Sequence, residues 1–498
     1  MDFLSCMLMC LMVAWISIHA LYYSFARTSP NKLPPGPKPL PFIGNLLELG
    51  NRPHLSLTKL SQRYGPIMTL HLGQITTVVV SSSAIAKQVL QTHDQLFCNR
   101  TVLDSVQACK HGENGMPWIP VSAKWRNLRK ICNSQLFATK VLNASQANRH
   151  LKVQELIADV HESVVKGDAV EIGRAAFKTT LNLMSRTVFS VDLADQNSER
   201  AREFKELVRS IMEEISKPNL ADYFPVLKKI DPVGIRRRLT RHFLKMFDLF
   251  DRLIIQRMES RKAPDYIMTS DMLDTLINNS EEKNEDMDMV ETQHLFLDLF
   301  AAATDTTSAT LEWAMAELLR NPENLSKAQE ELKHIIGKGK PVEESDITRL
   351  PYLQAIIKET FRLHPAAPLL IPRKARADVE ICGYIVPKGA QVLVNAWAIG
   401  RDPSIWDNPN SFMPERFLGL DMDVTGRNFE LIPFGGGRRI CPGLPLAMRM
   451  LNLMLGSLLN CFDNWKLEDG VAPETMNMED KFGLTLEKAQ PLIAVPMT

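Results

Sequence analysis

The chain has 498 residues, a formal net charge of +1 and a hydrophobic fraction of 45%. That composition excludes a disordered chain and allows a large core, and a charge this close to neutral gives no bulk signal for nucleic acid. The eight cysteines (Cys6, Cys10, Cys98, Cys109, Cys132, Cys382, Cys441 and Cys461) form no CxxC pair, which argues against a zinc site, and in a chain this long they do not read as a disulfide framework.

The first predicted element is the run Phe3 to Phe25, which contains no Asp, Glu, Lys or Arg. At about 1.5 Å per residue it spans a hydrocarbon core of ~30 Å as a helix. Asp2 precedes it and Arg27, Lys32 and Lys38 follow, so the rule that positive flanks stay inside puts the body in the cytosol. A cleaved secretory signal is the rival, but it wants a positive start and a shorter apolar run. With a cytosolic body, the N-x-S/T sequons at Asn99, Asn143, Asn278 and Asn324 are chance matches. We therefore expect a membrane anchor over 1–26, a proline-rich hinge over 27–45 around "KLPPGPKPLP", and one body over 46–498.

Beyond the hinge, "GPIMTLHLGQITTVVVSS" (Gly65 to Ser82) predicts two strands with a turn at Gly73. Helical periodicity then dominates. In "KWRNLRK", Trp125 and Arg129 lie at i, i+4 on one helix face, with Arg126, Lys130 and Lys140 making the region basic. The acidic stretch Asn279 to Asp288 reads as a solvated loop.

"FAAATDTTSATLEW" (Phe300 to Trp313) lies in a long, largely apolar helix. An acid and an alcohol there, Asp305 and Thr306, are costly to bury without a task; the plain alternative is a Thr hydroxyl bonded back to a carbonyl one turn earlier. Ala303, Ala302 and Leu299 share the face of Thr306 and leave room beside it. Asp298, one turn before Ala302, has three candidate roles: bonding a substrate hydroxyl, facing solvent, or lying inside the helix packing.

"KETFRLHP" follows, with Glu359 and Arg362 on one helix face. Next come the apolar stretch Pro365 to Pro372 with Ala367, Leu369 and Leu370, then Arg373, a second short-strand region over Val379 to Ile399, and "MPERF" with Arg416. The last motif, "PFGGGRRICPG" (Pro433 to Gly443), sets Cys441 among glycines, beside Arg438 and Arg439, and just before the long apolar helix predicted from Leu444. Glycine lets backbone approach a flat ligand. A helix N-terminus and nearby cations favour thiolate, a soft ligand suited to haem iron. The alternative is a free core cysteine in a glycine-rich turn. "FGLTLEK" with Leu484 closes the chain. The fold class is mainly α with small β-sheets, preceded by one N-terminal transmembrane helix.

Phe434, Gly437, Arg439, Cys441 and Gly443 as F-x-x-G-x-R-x-C-x-G resemble the haem-binding signature of the cytochrome P-450 superfamily, and the resemblance implies its fold. It implies haem b with Cys441 as the iron ligand and Phe434 beside the sulfur. It also implies propionate contacts from Arg439, Trp125, Arg129 and Arg373, and a structural clamp of Glu359, Arg362 and Arg416 behind the haem. "AAATDT" is similar to the family's A-G-x-D/E-T oxygen motif, in which Thr306 would hold a water or dioxygen and Asp305 would relay protons. Ala303 stands where the family has glycine, which strengthens the helix by about 1 kcal/mol but narrows the cleft and puts coupling in doubt.

The reaction so implied is monooxygenation with O2 and electrons from NADPH. They would arrive through NADPH-cytochrome P-450 reductase, docked on a basic proximal face that includes Arg126, Lys130, Lys140, Arg438 and Arg449, at the endoplasmic reticulum membrane. Candidate pocket residues are Asp298, Leu299, Ala302, Ala303, Ala367, Leu370 and Leu484, mostly apolar, which favours a small lipophilic substrate. The texture of "RLPYLQAIIKETFRLHP", "VLVNAWAIGRDPSIWDNP" and "DKFGLTLEKAQPL" is similar to the geraniol 8-hydroxylase family. That implies hydroxylation of a terpenoid alcohol, with diterpenes and prenylated or simple phenolics as alternatives. A non-catalytic haem-binding protein and an oxygen-independent peroxide rearrangement are the readings from other classes.

Overall fold

The apolar segment around Thr306 forms one unbroken helix, Met289–Arg320, capped by the Asp288 side chain accepting from Glu291 N–H. It is buried on nearly every side, as its all-round apolar sequence requires, and it is the axis of the fold. We describe the protein from a computed structural model covering residues 3–26, 32–194, 199–269, 271–283, 287–468 and 470–497. The helices Ile172–Phe189, Ile235–Ser260, Pro351–Leu363 and Leu444–Cys461 pack against this axis. On one side, Phe189, Phe204, Phe250, Phe296 and Phe300 interlock with ring centroids 4.9–6.4 Å apart.

The predicted strands form the edge of a five-stranded sheet. Ile67–Leu72 runs antiparallel to Ile75–Val80 through a turn at Gly73, where φ is +57°. Ile75–Val80 then pairs in parallel with Gln391–Val394, which pairs with Arg373–Lys374, and that strand pairs antiparallel with Asn99–Arg100. The second short-strand region resolves into the hairpin Val379–Ile381 and Tyr384–Val386 and the strand Gln391–Val394; its last four residues turn into the helix Ala396–Ile399.

Two expectations change. The acidic stretch is not all loop: Asn279 to Lys283 complete the helix Met272–Lys283, and residues 284–286 lie outside the described residues. The proline-rich segment is docked along the sheet from Lys32 onward. Thr69 N–H donates to Pro35 O, Ile385 N–H donates to Lys32 O, and a Cβ on Gly36 would lie 1.9 Å from Thr69 O. Residues 27–31 of the expected hinge lie outside the described residues. The N-terminal helix runs Phe3–Ala26 with Leu11, Val13 and Trp15 exposed. Among the described residues one helix, Leu444–Cys461, is long and apolar enough to cross a membrane, but two-thirds of it is buried, so it is a core helix.

Candidate active site at the cysteine loop

Glycine is required in this loop where backbones nearly touch. Gly437 has φ +66°, and a Cβ there would lie 1.9 Å from Leu90 O. Cys441 N–H donates to Phe434 O (3.0 Å), and the Phe434 ring meets Phe361 edge-on at 5.2 Å. The Cys441 side chain carries accessible surface, yet burial pushes its thiol pKa up. Both hold if the sulfur faces an internal cleft. The N–H groups of Gly443 and Leu444 and the Arg129 guanidinium pull the other way.

The expected help from Arg438 and Arg439 is corrected. Arg438 turns away to Asp94 (2.9 Å), and Arg439 donates to Cys98 O (2.9 Å), Met116 O (3.0 Å) and Ile119 O while its guanidinium lies 4.9 Å from the centroid of the Trp125 ring. The backbone donors and Arg129 alone do not overcome burial, so the thiol pKa stays above its ordinary value.

Around the loop stand four guanidinium groups. Arg100 and Arg373 are directly opposite each other across an antiparallel strand pair, a like-charge placement that costs up to ~1 kcal/mol unless something neutralises it. Arg373 donates to Gly436 O (3.0 Å) and Asp94 (3.3 Å); Arg129 donates to Ile440 O (2.6 Å). Among the described residues the only ion pair any of the four makes is Arg373 with Asp94. Arg100 Nε is buried with no partner. Burial lowers the pKa of all four, Arg439 to about 10. Such a surplus of buried cation fits an anion with several oxygens.

Across the cleft, mid-helix Ala302 is exposed while Leu299 is buried and Ala303 is partly buried. Thr306 Oγ1 donates to Ala302 O (2.9 Å), the back-bonded geometry weighed above, which leaves its oxygen free to accept. Asp305 is raised to about 7, first by burial and then by the neighbouring Glu487 carboxylate; Lys481 opposes this and Glu213 adds to it. Asp298 is not open to the cleft: both its oxygens take protein donors. Leu486 N–H donates to Ala366 O (2.8 Å), so the segments bearing Ala367 and Leu484 meet, and Leu370 approaches Gly435 of the cysteine loop.

Glu359 and Arg362 are fully buried rather than a surface pair. Arg362 donates twice to Glu359 (2.7 Å each) and also to Gly400 O, Pro409 O and Ser411 O; Arg416 Nε (3.1 Å) and Met413 N–H (2.8 Å) complete the carboxylate. Phe361, on the same helix, links this network to Phe434. On the basic face, Arg126, Lys130, Lys140 and Arg438 are exposed, whereas Arg449 is engaged by Glu344 and Asn143.

Sequence reasoning missed Arg100, Asp94, Glu487 and the buried pair His111 and His294. The signal for Arg100 is its register opposite Arg373; none of the others carries a local pattern.

A model of the family described as Cytochrome P-450 matches residues 34–493. The chain is 54% identical over 498 residues, the whole of both chains, to geraniol 8-hydroxylase of Catharanthus roseus. It is 53% identical over 496 residues to drimenol monooxygenase of Persicaria hydropiper, covering 100% of this chain and 97% of that one. To geranylhydroquinone 3''-hydroxylase of Arnebia euchroma it is 48% identical over 489 residues, 98% of each. The haem iron that this family implies fits the residues present. The accessible sulfur of Cys441 suits iron, and the unneutralised arginines with the orphaned Arg100 Nε suit carboxylates.

Proposed function

The chain belongs to the cytochrome P-450 family of monooxygenases, and on that premise we propose that it hydroxylates a lipophilic plant terpenoid, a monoterpene alcohol such as geraniol. The observation that carries this reading is its full-length likeness to the Catharanthus roseus geraniol 8-hydroxylase. Haem b is the cofactor, NADPH-cytochrome P-450 reductase the electron donor, and the endoplasmic reticulum membrane the location. Residues 1–26 are the anchor and 46–498 the cytosolic catalytic body. The exposed apolar side chains of the helix Phe3–Ala26 support the anchor.

Haem, when bound, supplies the dioxygen activation that no side chain can. Cys441 is its ligand; Arg100, Arg129, Arg373 and Arg439 hold its carboxylates, with Trp125 backing the Arg439 guanidinium. Phe434 packs against Phe361 and steadies the loop. Gly437 keeps the loop against Leu90. Asp305 keeps a proton near neutral pH, and Thr306 Oγ1, its own proton given to Ala302 O, is free to accept from a water in the cleft. Leu299, Ala302, Ala303, Ala367, Leu370 and Leu484 exclude water and orient an apolar substrate. Glu359, Arg362 and Arg416 brace the loop from behind and take no part in the chemistry.

A second reading, hydroxylation of a larger terpenoid or a prenylated phenolic, is favoured by the names of the two other relatives. The test is the full chain in microsomes with a plant reductase, offered geraniol, drimenol and geranylhydroquinone, with products identified by mass spectrometry. We expect an NADPH-dependent geraniol product one oxygen heavier. Preferred turnover of drimenol or geranylhydroquinone moves the assignment to the second reading. No product from any of them, with an intact carbon monoxide spectrum, overturns both in favour of a haem-binding protein. Turnover from a hydroperoxide without NADPH would assign the rearrangement class instead.

A further inference from the structure

Three buried side chains outside the motifs meet between the central helix and the loop that follows Cys109. His111 Nδ1 lies 2.8 Å from His294 Nδ1, and His111 Nε2 lies 3.1 Å from Asp298 Oδ1. Asp298 Oδ2 accepts from Met116 N–H at 2.8 Å. All three side chains are buried, and Phe243 and Phe247 close over the imidazoles edge-on. Two placements of protons satisfy every contact: His111 donating from both ring nitrogens, or neutral rings arranged as follows. Burial, then His111, pushes His294 down to about 3, so it is neutral. An ionised Asp298 accepts from Met116 N–H and from His111 Nε2–H. His111 Nδ1 is then bare and accepts from His294 Nδ1–H.

Independent features of the backbone converge on this network. Cys109 and Lys110, just before His111, both have positive φ (+48° and +58°). Such residues persist only where the surroundings hold them. Gly115 is required by the same ring: a Cβ there would lie 2.7 Å from His111 Cε1. Met116 is gripped from the other side as well, its carbonyl accepting from Arg439 Nη1 at 3.0 Å. One residue thus ties the central helix to the cysteine loop. Ala302 follows Asp298 by one turn of that helix, so Met116, bonded to Asp298, sits about one helical turn from Ala302.

We propose that Asp298, acting through His111 and the Met116 amide, is a positioning residue that holds segment 110–121 as one wall of the substrate cleft and thereby sets which carbon is oxidised. It does not bind the substrate's hydroxyl, because the side chain is buried and each oxygen is held by a protein donor. His294 is the second support, fixing the His111 tautomer. The position-specific outcome rests on the hydroxylase reading above; the loop-holding role does not.

The test uses the full-length haem-loaded chain with geraniol as probe and four variants: Asp298→Asn, His294→Phe, His294→Gln and Gly115→Ala. Hydrogen exchange at the Met116 amide in substrate-free protein is expected to speed up by ~10-fold or more in Asp298→Asn, the loss of a hydrogen bond to a charged group. His294→Phe and Gly115→Ala should show smaller increases, and His294→Gln, which keeps a donor for His111, should stay near wild type. The same order should appear as a broadened ratio of geraniol hydroxylation products, with KM rising more than kcat falls. Unchanged Met116 exchange in both Asp298→Asn and His294→Phe overturns the proposal, and so does a changed product ratio with unchanged exchange, which would put Asp298 on the substrate. If the wild type leaves geraniol untouched, the hydroxylase reading fails while the exchange data still decide the loop. If Asp298→Asn does not fold, the His294→Phe and His294→Gln pair decides it.

Discussion

The protein holds two groups of buried and half-buried arginines, and they are opposites. Arg362 and Arg416 share Glu359, and their N–H groups also donate to backbone carbonyls. Of Arg100, Arg129, Arg373 and Arg439, among the described residues only Arg373 pairs with a carboxylate, Asp94, and Arg100 Nε has no partner. The first group is complete without any ligand; the second is a surplus of charge. A protein buries uncompensated cation only where something else will balance it, so the contrast separates a brace from a binding site without reference to any motif.

The largest expected effect tests the binding side. Cys441→Ala should abolish the red-shifted Soret band of the reduced carbon monoxide complex altogether; its survival would mean that the arginines surround some other ligand. Next comes the brace. Glu359→Ala leaves two guanidinium groups buried without their carboxylate, a loss of about 3–5 kcal/mol, and should lower the thermal midpoint with or without haem. Arg373→Met should sharpen the contrast. It relieves the like-charge pair with Arg100 while Asp94 keeps Arg438, so haem-free stability should hold or rise by up to ~1 kcal/mol. Haem should nevertheless dissociate ~10-fold faster or more, the worth of one hydrogen bond between charged groups. A Glu359-like fall in haem-free stability would erase the distinction.

What could be read in advance follows the range of the interactions. The cysteine loop, the Trp125 and Arg129 face, the apolar helix around Thr306 and the Glu359 and Arg362 pair are patterns within a few residues, and helix or turn geometry makes them legible. The strands around Gly73 were legible for the same reason, since a β-branched run and a turn are local. Arg100 was not: its place opposite Arg373 depends on strands brought together from distant parts of the chain. His111 and His294 meet only because the loop folds back onto the central helix. The helical end of the acidic stretch was misjudged because composition reports solvation, while helix packing decided the outcome.

The smallest expected effect concerns Asp305, where the cleft has surplus negative charge instead of positive. Burial, then Glu487, raises its pKa to about 7, against partial relief from Lys481 and a further rise from Glu213. A carboxyl raised in this way keeps its proton as pH climbs toward 7 and surrenders it above. Its contribution to stability is therefore full below the ordinary Asp range and is lost as pH rises through about 7. If the protonated acid feeds Thr306, the share of NADPH lost as peroxide should rise above that pH in the wild type. Glu487→Gln removes the like charge and offers an amide donor to the Asp305 carboxylate, so the rise should begin at lower pH, while burial still keeps it above the range of a free aspartate. Peroxide yield against pH for the two proteins, at matched haem content, checks this. Superimposable profiles would mean that Glu487 does not act on the proton at Asp305, leaving burial alone to set it.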